Sequence, residues 1–303
     1  MQTEEREARK ILAGIPSLAG HDGPLQRLGG LTNTVFQTGD LVLRLPGKGT
    51  AEYIDRANEA IAAREAARAG VSPEVLYADA ASGVMVTRFI EAAVTMSPAA
   101  FRQRQGSPSR AAATFRRLHQ SGAIFPTRFE LFAMIDDYLK LLSNKDVTLP
   151  AGYHDVVAEA GAVRVALGKS QFTPVACHCD PLCENFLDTG ERMWVVDWEY
   201  SGMNDPMWDL GDLSVEAGFN AAQDEELLTA YFDGEAPRKD RARMTIHKAM
   251  CDLLWTLWGL IQFANDNPAE DFRAYAETRF ARCEALMASA EFGSHLRTLS
   301  RQP

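Results

Sequence analysis

The segment HCDPLCEN, residues 178–185, fits the pattern HxDxxxxN, and a further aspartate, Asp197, follows in the segment VVDWEY. Between the two segments, Asp188-Thr189-Gly190 indicates the turn of a hairpin, so Asp197 falls at the end of the second strand. An octet with three fixed positions recurs by chance. Joined to a hairpin and a downstream aspartate, it becomes a specific pattern.

This spacing has a mechanical reason in phosphoryl transfer. In enzymes of the protein-kinase type, a loop aspartate engages the attacking hydroxyl, an asparagine five residues on binds magnesium, and an aspartate beyond a hairpin binds magnesium from the other side. Asp180, Asn185 and Asp197 stand at these positions. The pattern therefore predicts a site for magnesium-dependent phosphoryl transfer. The alternative for Asp180 is a turn-capping aspartate in a proline-containing loop.

The rest of the chain divides into a strand-rich part and a helical part. The runs TVFQTGD and LVLRLPG predict short strands, residues 51–69 predict a helix that ends at Gly70, and EVLYADAASGVMVTRF predicts two strands with a glycine-containing turn. From about residue 92 the chain is mainly helical apart from the hairpin. We therefore expect an α+β protein of two unequal lobes, residues 1–91 and 92–303.

Composition limits the classes of protein to consider. The chain has 303 residues, of which 46% are hydrophobic, and a net charge of -10. These values fit a soluble globular protein, and the acidic balance argues against nucleic-acid binding. No apolar stretch reaches the length of a membrane span, and the N-terminus lacks the apolar core of a secretory signal. Five scattered cysteines fit a reducing compartment, so we expect a cytoplasmic protein.

The charge is concentrated in one segment. Residues 178–216 hold ten carboxylates and one basic residue, interleaved with large apolar side chains. Carboxylates in such a setting need cationic partners, and a divalent metal or a cationic substrate would supply them. Residues 92–129 have the opposite bias, with six arginines and no acid. We interpret that run as a solvated helical face, with a phosphate- or membrane-contacting patch as the alternative.

At this point the chain resembles a known family, the aminoglycoside phosphotransferase and choline kinase group, and it is most similar to the choline/ethanolamine kinase branch. The resemblance runs from Leu28 to Tyr275 and is carried by LGGLTNTVF, LVLRLPG, HCDPLCENFL, VVDWEYSGMNDPMWDLGDLSVEAGF and LLWTLWGLIQF. It implies a protein-kinase-like two-lobed fold, with residues 1–91 as the nucleotide-binding lobe and residues 92–303 as the catalytic and acceptor-binding lobe.

The resemblance also implies roles for the loop of residues 178–185, which would be the catalytic loop, and for Asp197 beyond it. Asp180 would be the catalytic carboxylate, Asn185 and Asp197 the magnesium ligands, and His178 a structural residue. The alternative is a zinc cluster made by Cys177, His178, Cys179 and Cys183. Its CxCxxxC spacing lacks a second ligand pair, which argues against zinc.

The nucleotide site is expected in the first lobe. A glycine turn between two strands lets backbone N–H groups approach a phosphate, although an ordinary hairpin turn has the same sequence. The residues of this turn assigned to ATP are Gly29, Gly30, Thr32 and Asn33. Arg44 stands where most kinases carry lysine, and it can pair with phosphate and with a helix carboxylate. We expect Glu59 to be that carboxylate, with Glu52 and Glu65 as alternatives, and we expect the segment MVTRFIEA to contact adenine.

The acceptor site is expected around two tryptophans of the second lobe. Trp255 and Trp258 are three residues apart on an apolar helix, so both rings lie on one face, and core packing is the alternative reading. The resemblance implies an aromatic box for a quaternary ammonium. The other residues assigned to the acceptor are Glu199, Tyr200, Glu216 and Tyr275. An aminoglycoside would require a different pocket, with several exposed acids.

The residue pair after Asp197 is Trp198-Glu199, where protein kinases have Phe-Gly, so switching by an Asp-Phe-Gly flip is not expected. The resemblance thus implies ATP-dependent, Mg²⁺-requiring phosphorylation of a small amino alcohol, most directly choline, to give phosphocholine. Ethanolamine, thiamine, an aminoglycoside or a sugar are alternative acceptors, and a nucleotide-binding pseudokinase is a further alternative. As partners we expect a small-molecule acceptor, no nucleic acid and no membrane span, with the choice between monomer and homodimer open.

Overall fold

The computed structural model describes residues 2–18, 20–29, 33–47, 54–170 and 172–300. In these residues a strand-rich N-terminal part precedes a mainly helical C-terminal part, which confirms the predicted α+β class. The strands are β1 (Gln26–Arg27), β2 (Thr34–Thr38), β3 (Leu41–Leu45), β4 (Val75–Ala78), β5 (Met85–Arg88), β6 (Val94–Thr95), β7 (Val175–Cys177), β8 (Phe186–Asp188), β9 (Met193–Val195) and β10 (Gly202–Asn204).

The helices make up most of the C-terminal part. They are α1 (Gln2–Gly14), α2 (Arg56–Arg68), α3 (Pro98–Gln103), α4 (Ser107–His119), α5 (Leu131–Leu142), α6 (Tyr153–Lys169), α7 (Pro206–Ala217), α8 (Ala221–Phe232), α9 (Arg238–Ala264), α10 (Phe272–Met287) and α11 (Ala290–Ser300). Within the described ranges, no helix combines the length and the apolar character that crossing a membrane requires.

An antiparallel sheet with the strand order β1-β2-β3-β5-β4 forms the N-terminal part. In β3 the side chains of Leu41, Leu43 and Leu45 are buried while those between them are half-buried, which is the alternation of a strand with one face on a core. Arg44 of β3 pairs with Val35 and Met85 on the neighbouring strands. The register therefore fixes the position of this arginine in the middle of the sheet.

Helix α2 lies beside the sheet and begins later than the sequence predicted. Asp55 adopts an extended backbone and its carboxylate accepts hydrogen bonds from Ala57 N and Asn58 N, each at 3.0 Å, so the helix starts at Arg56. Residues 51–53 of the predicted helix lie outside the described residues. The cap orients the first turn so that Glu59 is buried.

The hairpin β8–β9 has the predicted turn after Asp188, with Phe186 opposite Val195. Strand β7, which leads into the catalytic loop, pairs antiparallel with β10, which leads into α7. This pairing brings residues 178–180 next to the start of α7. The site therefore lies where β7, the hairpin and α7 meet.

The long helix α9 is the centre of the C-terminal part, since its side chains from Ala242 to Gln262 are almost all buried. Helix α7 packs closely on it at Gly211, where a Cβ atom would lie 2.7 Å from Met244 O. Only a glycine allows this approach without a shift of the backbone. Helices α5, α10 and α11 also contact α9.

The arginine run of residues 92–129 is not simply a solvated face. Arg110 Nη2 lies 2.7 Å and Arg104 Nε 2.8 Å from Asp188 Oδ2, and the Asp188 side chain is fully buried. The prediction was wrong for these two residues because their partner is distant in sequence. Arg104 and Arg110 instead fasten α3 and α4 to the hairpin.

Candidate active site

Asp209 of α7 holds the backbone of the catalytic loop. Its two carboxylate oxygens accept hydrogen bonds from His178 N and Cys179 N, both at 2.8 Å. His119 of α4 lies against the same carboxylate, with Nε2 3.0 Å from Asp209 Oδ2. Cys179 has a φ of 68°, a conformation that is strained for a residue with a side chain. The charge-assisted hydrogen bonds hold this strained turn, which immediately precedes Asp180.

His178 is fully buried, and its Nε2 lies 2.9 Å from Val196 O. Burial lowers the pKa of His178, so the imidazole is neutral at pH 7 and donates this hydrogen bond. The histidine thereby ties the catalytic loop to the residue before Asp197. Its position matches the structural role predicted for it.

The described residues do not assemble the alternative zinc cluster. Among the described residues, two groups of side chains lie close enough together to share one metal ion. One group is His119, Cys177 and Asp209, and the other is Glu59, Asp197 and Glu199. Cys179 Sγ lies 3.6 Å from Cys177 O, a contact with backbone. Burial raises the pKa of the Cys177 and Cys179 thiols well above the usual range, which opposes thiolate formation.

Asp180, Asn185 and Asp197 are brought together by the loop and the hairpin. Asn185 Nδ2 donates to Asp180 O at 3.0 Å, and Val196 N donates to Asn185 O at the same distance. Asp197 has a φ of 67°. Burial raises the pKa of Asp180 well above its usual range, and the charges of Asp212 and Asp197 add to the effect. The carboxylates of Asp180 and Asp197 and the side-chain amide oxygen of Asn185 are oxygen donors of the kind that suits a hard divalent cation.

Arg44 links the sheet to Asp197 and to helix α2. Its Nη1 lies 2.9 Å from Asp197 Oδ1, and the same guanidinium forms an ion pair with Glu59, the partner expected from the sequence. Arg56 Nη1 lies 2.9 Å from Glu59 Oε2. Of the two alternative partners, Glu65 pairs with Arg68 and Glu52 lies outside the described residues. The ATP contact of Arg44 stays a prediction.

The glycine turn is described only at its ends. Gly30 and Thr32 lie outside the described residues, so their predicted phosphate contacts stay predictions, as does that of Gly29. Asn33 Nδ2 lies 3.4 Å from Asp197 Oδ2, and its Oδ1 accepts a hydrogen bond from Gly47 N at 3.2 Å. This asparagine therefore connects the N-terminal part with the predicted metal ligand.

Glu199 contacts residues of the N-terminal part. Its Oε2 lies 3.2 Å from Arg56 Nη1 and 3.4 Å from Asn33 Nδ2. Burial and the neighbouring charge of Asp197 raise the pKa of Glu199 to about 7, against the opposing effect of Arg44. The acceptor role expected for Glu199 stays a prediction, whereas its contacts join the two parts of the chain.

The aromatic residues expected at the acceptor site form two contacting pairs. The ring centroids of Tyr200 and Trp255 are 5.2 Å apart, and those of Trp258 and Tyr275 are 5.7 Å apart, with edge-on geometry in both pairs. Phe272, which the sequence did not indicate, lies 5.5 Å from Trp258. Helices α9 and α10 thus bring these rings together with the loop after Asp197.

Glu216, the carboxylate expected beside these rings, forms an ion pair with an arginine of the protein. It pairs with Arg279 of α10, which also lies 3.2 Å from Asp252 Oδ1. The Arg279 guanidinium carbon lies 4.5 Å from the centre of the Tyr275 ring. A second carboxylate, Asp212, is fully buried and accepts a hydrogen bond from Trp255 Nε1 at 3.1 Å.

Sequence reasoning did not assign roles to several residues of this arrangement. They are Arg56, His119, Asp209, Asp212, Phe272 and Arg279. Asp209 and Asp212 belong to the acidic segment of residues 178–216, and that charge excess was the signal that could have singled them out. The others are recognisable only once the helices are packed.

A two-part α+β fold with this loop, hairpin and ion-pair network defines a protein-kinase-like phosphotransferase. Residues 25–247 match the family described as "Phosphotransferase enzyme family". The chain belongs to this family, and it is a kinase that acts on an alcohol group.

The chain is similar to proteins of the choline and ethanolamine kinase branch. A solved structure of a choline/ethanolamine kinase family protein from Mesorhizobium loti is 70% identical, covers 99% of both chains and superposes with a TM-score of 0.90. Choline kinase LicA from Streptococcus pneumoniae is 26% identical over 93% of this chain and 99% of that chain, with a TM-score of 0.77. Protein LicA from Haemophilus influenzae is 30% identical over 78% of this chain and 90% of that protein.

Proposed function

We propose that the protein transfers the γ-phosphoryl group of ATP to the hydroxyl of choline, giving phosphocholine, with Mg²⁺ as the required ion. The family membership supplies the reaction class, and the names of the relatives support choline or ethanolamine as the acceptor. The observation that carries the choice of acceptor is the cluster of buried aromatic rings on α9, α10 and the loop after Asp197, with the carboxylates Asp212 and Glu216 beside them.

The composition of this cluster suits a quaternary ammonium ion. A trimethylammonium group has no N–H to donate, so it is bound by aromatic faces and by the diffuse attraction of carboxylates. Trp255, Trp258, Tyr200 and Tyr275 supply the rings. A polyhydroxylated polyamine would instead require many exposed polar partners. The buried rings therefore favour choline over an aminoglycoside.

The nucleotide and metal would be held on the opposite side of Asp180. Asn185 and Asp197 would bind Mg²⁺, which when bound neutralises charge on the transferring phosphoryl group. Arg44, fixed by Glu59, would contact the phosphates of ATP, and the turn of residues 29–33 would cover them. Asp180 would accept the hydrogen bond of the acceptor hydroxyl and orient it for attack.

Ethanolamine is the second candidate, and one observation favours it. Asp212 Oδ1 is buried and has no hydrogen-bond partner among the described residues, so it could accept a hydrogen bond from a primary ammonium group. Choline offers more apolar surface to the rings but no such donor. The two acceptors therefore differ in which part of the cluster they would use.

A panel of acceptors in a coupled ADP-release assay tests the proposal. Choline, ethanolamine, thiamine and an aminoglycoside are compared at equal concentration with saturating ATP and Mg²⁺. We expect the highest kcat/KM for choline. ADP release with an aminoglycoside but not with choline would overturn the proposed acceptor. A protein that binds ATP but releases no ADP with any of the acceptors would favour a nucleotide-binding pseudokinase.

A further inference from the structure

Helix α2 carries a largely buried arginine, Arg56, that contacts carboxylates from both parts of the chain. Its Nη1 lies 2.9 Å from Glu59 Oε2, one turn further along α2, and 3.2 Å from Glu199 Oε2, which follows the hairpin. The Arg56 side chain is 10% exposed, and both carboxylates are buried more deeply. One guanidinium nitrogen therefore joins the N-terminal helix to the segment that holds Asp197.

Arg56 and Arg44 share three neighbouring carboxylates. Oxygen atoms of Glu59, Asp197 and Glu199 all lie within 4.8 Å of one another. Arg44 pairs with Glu59 and Asp197, and Arg56 pairs with Glu59 and Glu199. Glu59 presents Oε1 to Arg44 and Oε2 to Arg56, so contacts on both oxygens fix the rotation of its carboxylate. Without Arg56, one of these contacts is lost and the repulsion between Glu59 and Glu199 is no longer offset.

Other contacts hold the backbone of α2 on the segment that follows the hairpin. Asn58 Nδ2 donates to Ser201 O at 2.8 Å, and this hydrogen bond is buried. Trp198 Nε1 donates to Ser72 Oγ, in the loop after α2, at 3.0 Å. Because these contacts place the helix as a body, the contribution specific to Arg56 is the direction of a side chain on that helix.

We propose that Arg56 is a positioning residue for the nucleotide, which acts by holding Glu59 in the place where Glu59 directs the Arg44 guanidinium. Arg44 is the group proposed to contact the phosphates of ATP, so the inference rests on the proposed function and assigns it a further residue. Arg56 suits this role because a guanidinium is always charged and presents several N–H donors, so it can serve two carboxylates at once.

A double-mutant cycle on nucleotide affinity tests the inference, with the Mg²⁺ complex of a non-hydrolysable ATP analogue as the probe. The whole chain is titrated by calorimetry without any acceptor. We expect Arg56→Met to raise the Kd for the analogue about tenfold. In the Arg44→Met background the same change should alter the Kd less than about twofold, because Arg56 acts through Arg44. An equal loss in both backgrounds would overturn the inference.

Arg64→Met is the matched control, because it removes an exposed arginine from the same helix and changes the net charge equally. We expect its Kd to equal that of the wild type. Arg56→Gln enters the same cycle should the methionine variant fail to fold, since an amide can still donate to one of the two carboxylates. In the kinase assay, the KM for ATP should rise with the Kd while the KM for the acceptor stays unchanged, a split that a general loss of stability would not produce.

The titration separates this inference from the proposed function because it contains no acceptor. If the wild type does not bind the analogue, the ATP-dependent function is wrong and the role of Arg56 falls with it. If the wild type binds the analogue and the folded Arg56 variants bind it as tightly, the proposed function stands and the role of Arg56 is refuted.

Discussion

Arg44 and Asp197 are in direct contact, with Arg44 Nη1 2.9 Å from Asp197 Oδ1. The arginine lies in the middle of the N-terminal sheet, and the aspartate follows the hairpin of the helical part. Because Arg44 also pairs with Glu59 of α2, one guanidinium connects the predicted metal ligand Asp197 with the sheet and with α2. The nucleotide and metal halves of the proposed site are thus structurally coupled.

Replacing Arg44 should weaken ATP binding more than acceptor binding. A hydrogen bond to a charged group contributes about 1.5–3 kcal/mol, so Arg44→Met should raise the KM for ATP roughly 10- to 100-fold. Glu59 keeps Arg56 as a partner, which limits the loss of stability. Arg44→Lys should be milder yet impaired, because an ammonium lacks the guanidinium fork. Initial rates at varied ATP check this, and unaltered ATP kinetics in Arg44→Met would contradict the assignment.

Loss of the carboxylate proposed to be catalytic, or of a proposed metal ligand, should depress turnover far more than folding. We expect Asp180→Asn and Asp197→Ala each to lower kcat at least about 100-fold, equivalent to about 2.7 kcal/mol of transition-state stabilisation. Melting temperatures without nucleotide should change little and serve as the control. Wild-type turnover in either variant at saturating Mg²⁺ would show that the residue has another role.

Asp209 should matter for stability as well as for activity. An asparagine could accept a hydrogen bond from only one of His178 N and Cys179 N, and its amide nitrogen would face the other N–H group. We expect Asp209→Asn to lower the free energy of unfolding by about 3 kcal/mol. Urea denaturation measures this. Asp233→Asn, at a site whose side chain is 83% exposed, is the control and should change stability by less than about 0.5 kcal/mol.

Gly259 of α9 should be sensitive to a single added methyl group. A Cβ atom at Gly259 would lie 2.6 Å from Tyr275 Cδ1, so the tyrosine ring would have to move away from Trp258. We expect Gly259→Ala to lower kcat/KM for the acceptor about tenfold, at unchanged KM for ATP. Gly161→Ala, in a helix with nothing within 4 Å of the new atom, should keep full activity. Equal kinetics in the two variants would argue against an acceptor role for Tyr275.

The features predicted correctly from the sequence are those encoded by local spacing. The loop of residues 178–185, the hairpin before Asp197 and the strands around Arg44 depend on residues close together in the chain. The class of fold followed from the same patterns. The pairing of Arg44 with Glu59 was predictable because, in the described residues, α2 is the one helix between the strands of that part.

The features missed depend on how distant helices pack. Trp255 and Asp212 are 43 positions apart, and Arg110 and Asp188 are 78 positions apart. A charge pattern shows that a segment needs cations, but it does not show whether an arginine or a ligand supplies them. The ion pair of Glu216 with Arg279 was for that reason not predicted, and the acceptor role of Glu216 stays a prediction.

The most direct measurement is identification of the phosphorylated product by mass spectrometry, with kcat/KM determined for choline and ethanolamine in the wild type and in Trp258→Ala. The account predicts that the wild type forms phosphocholine, with a higher kcat/KM for choline than for ethanolamine. It also predicts that Trp258→Ala lowers the choline value roughly 10- to 100-fold, since a desolvated cation–π contact contributes about 2 kcal/mol. Equal values for the two alcohols in the wild type, unaffected by Trp258→Ala, would reduce the aromatic cluster to core packing and contradict the account.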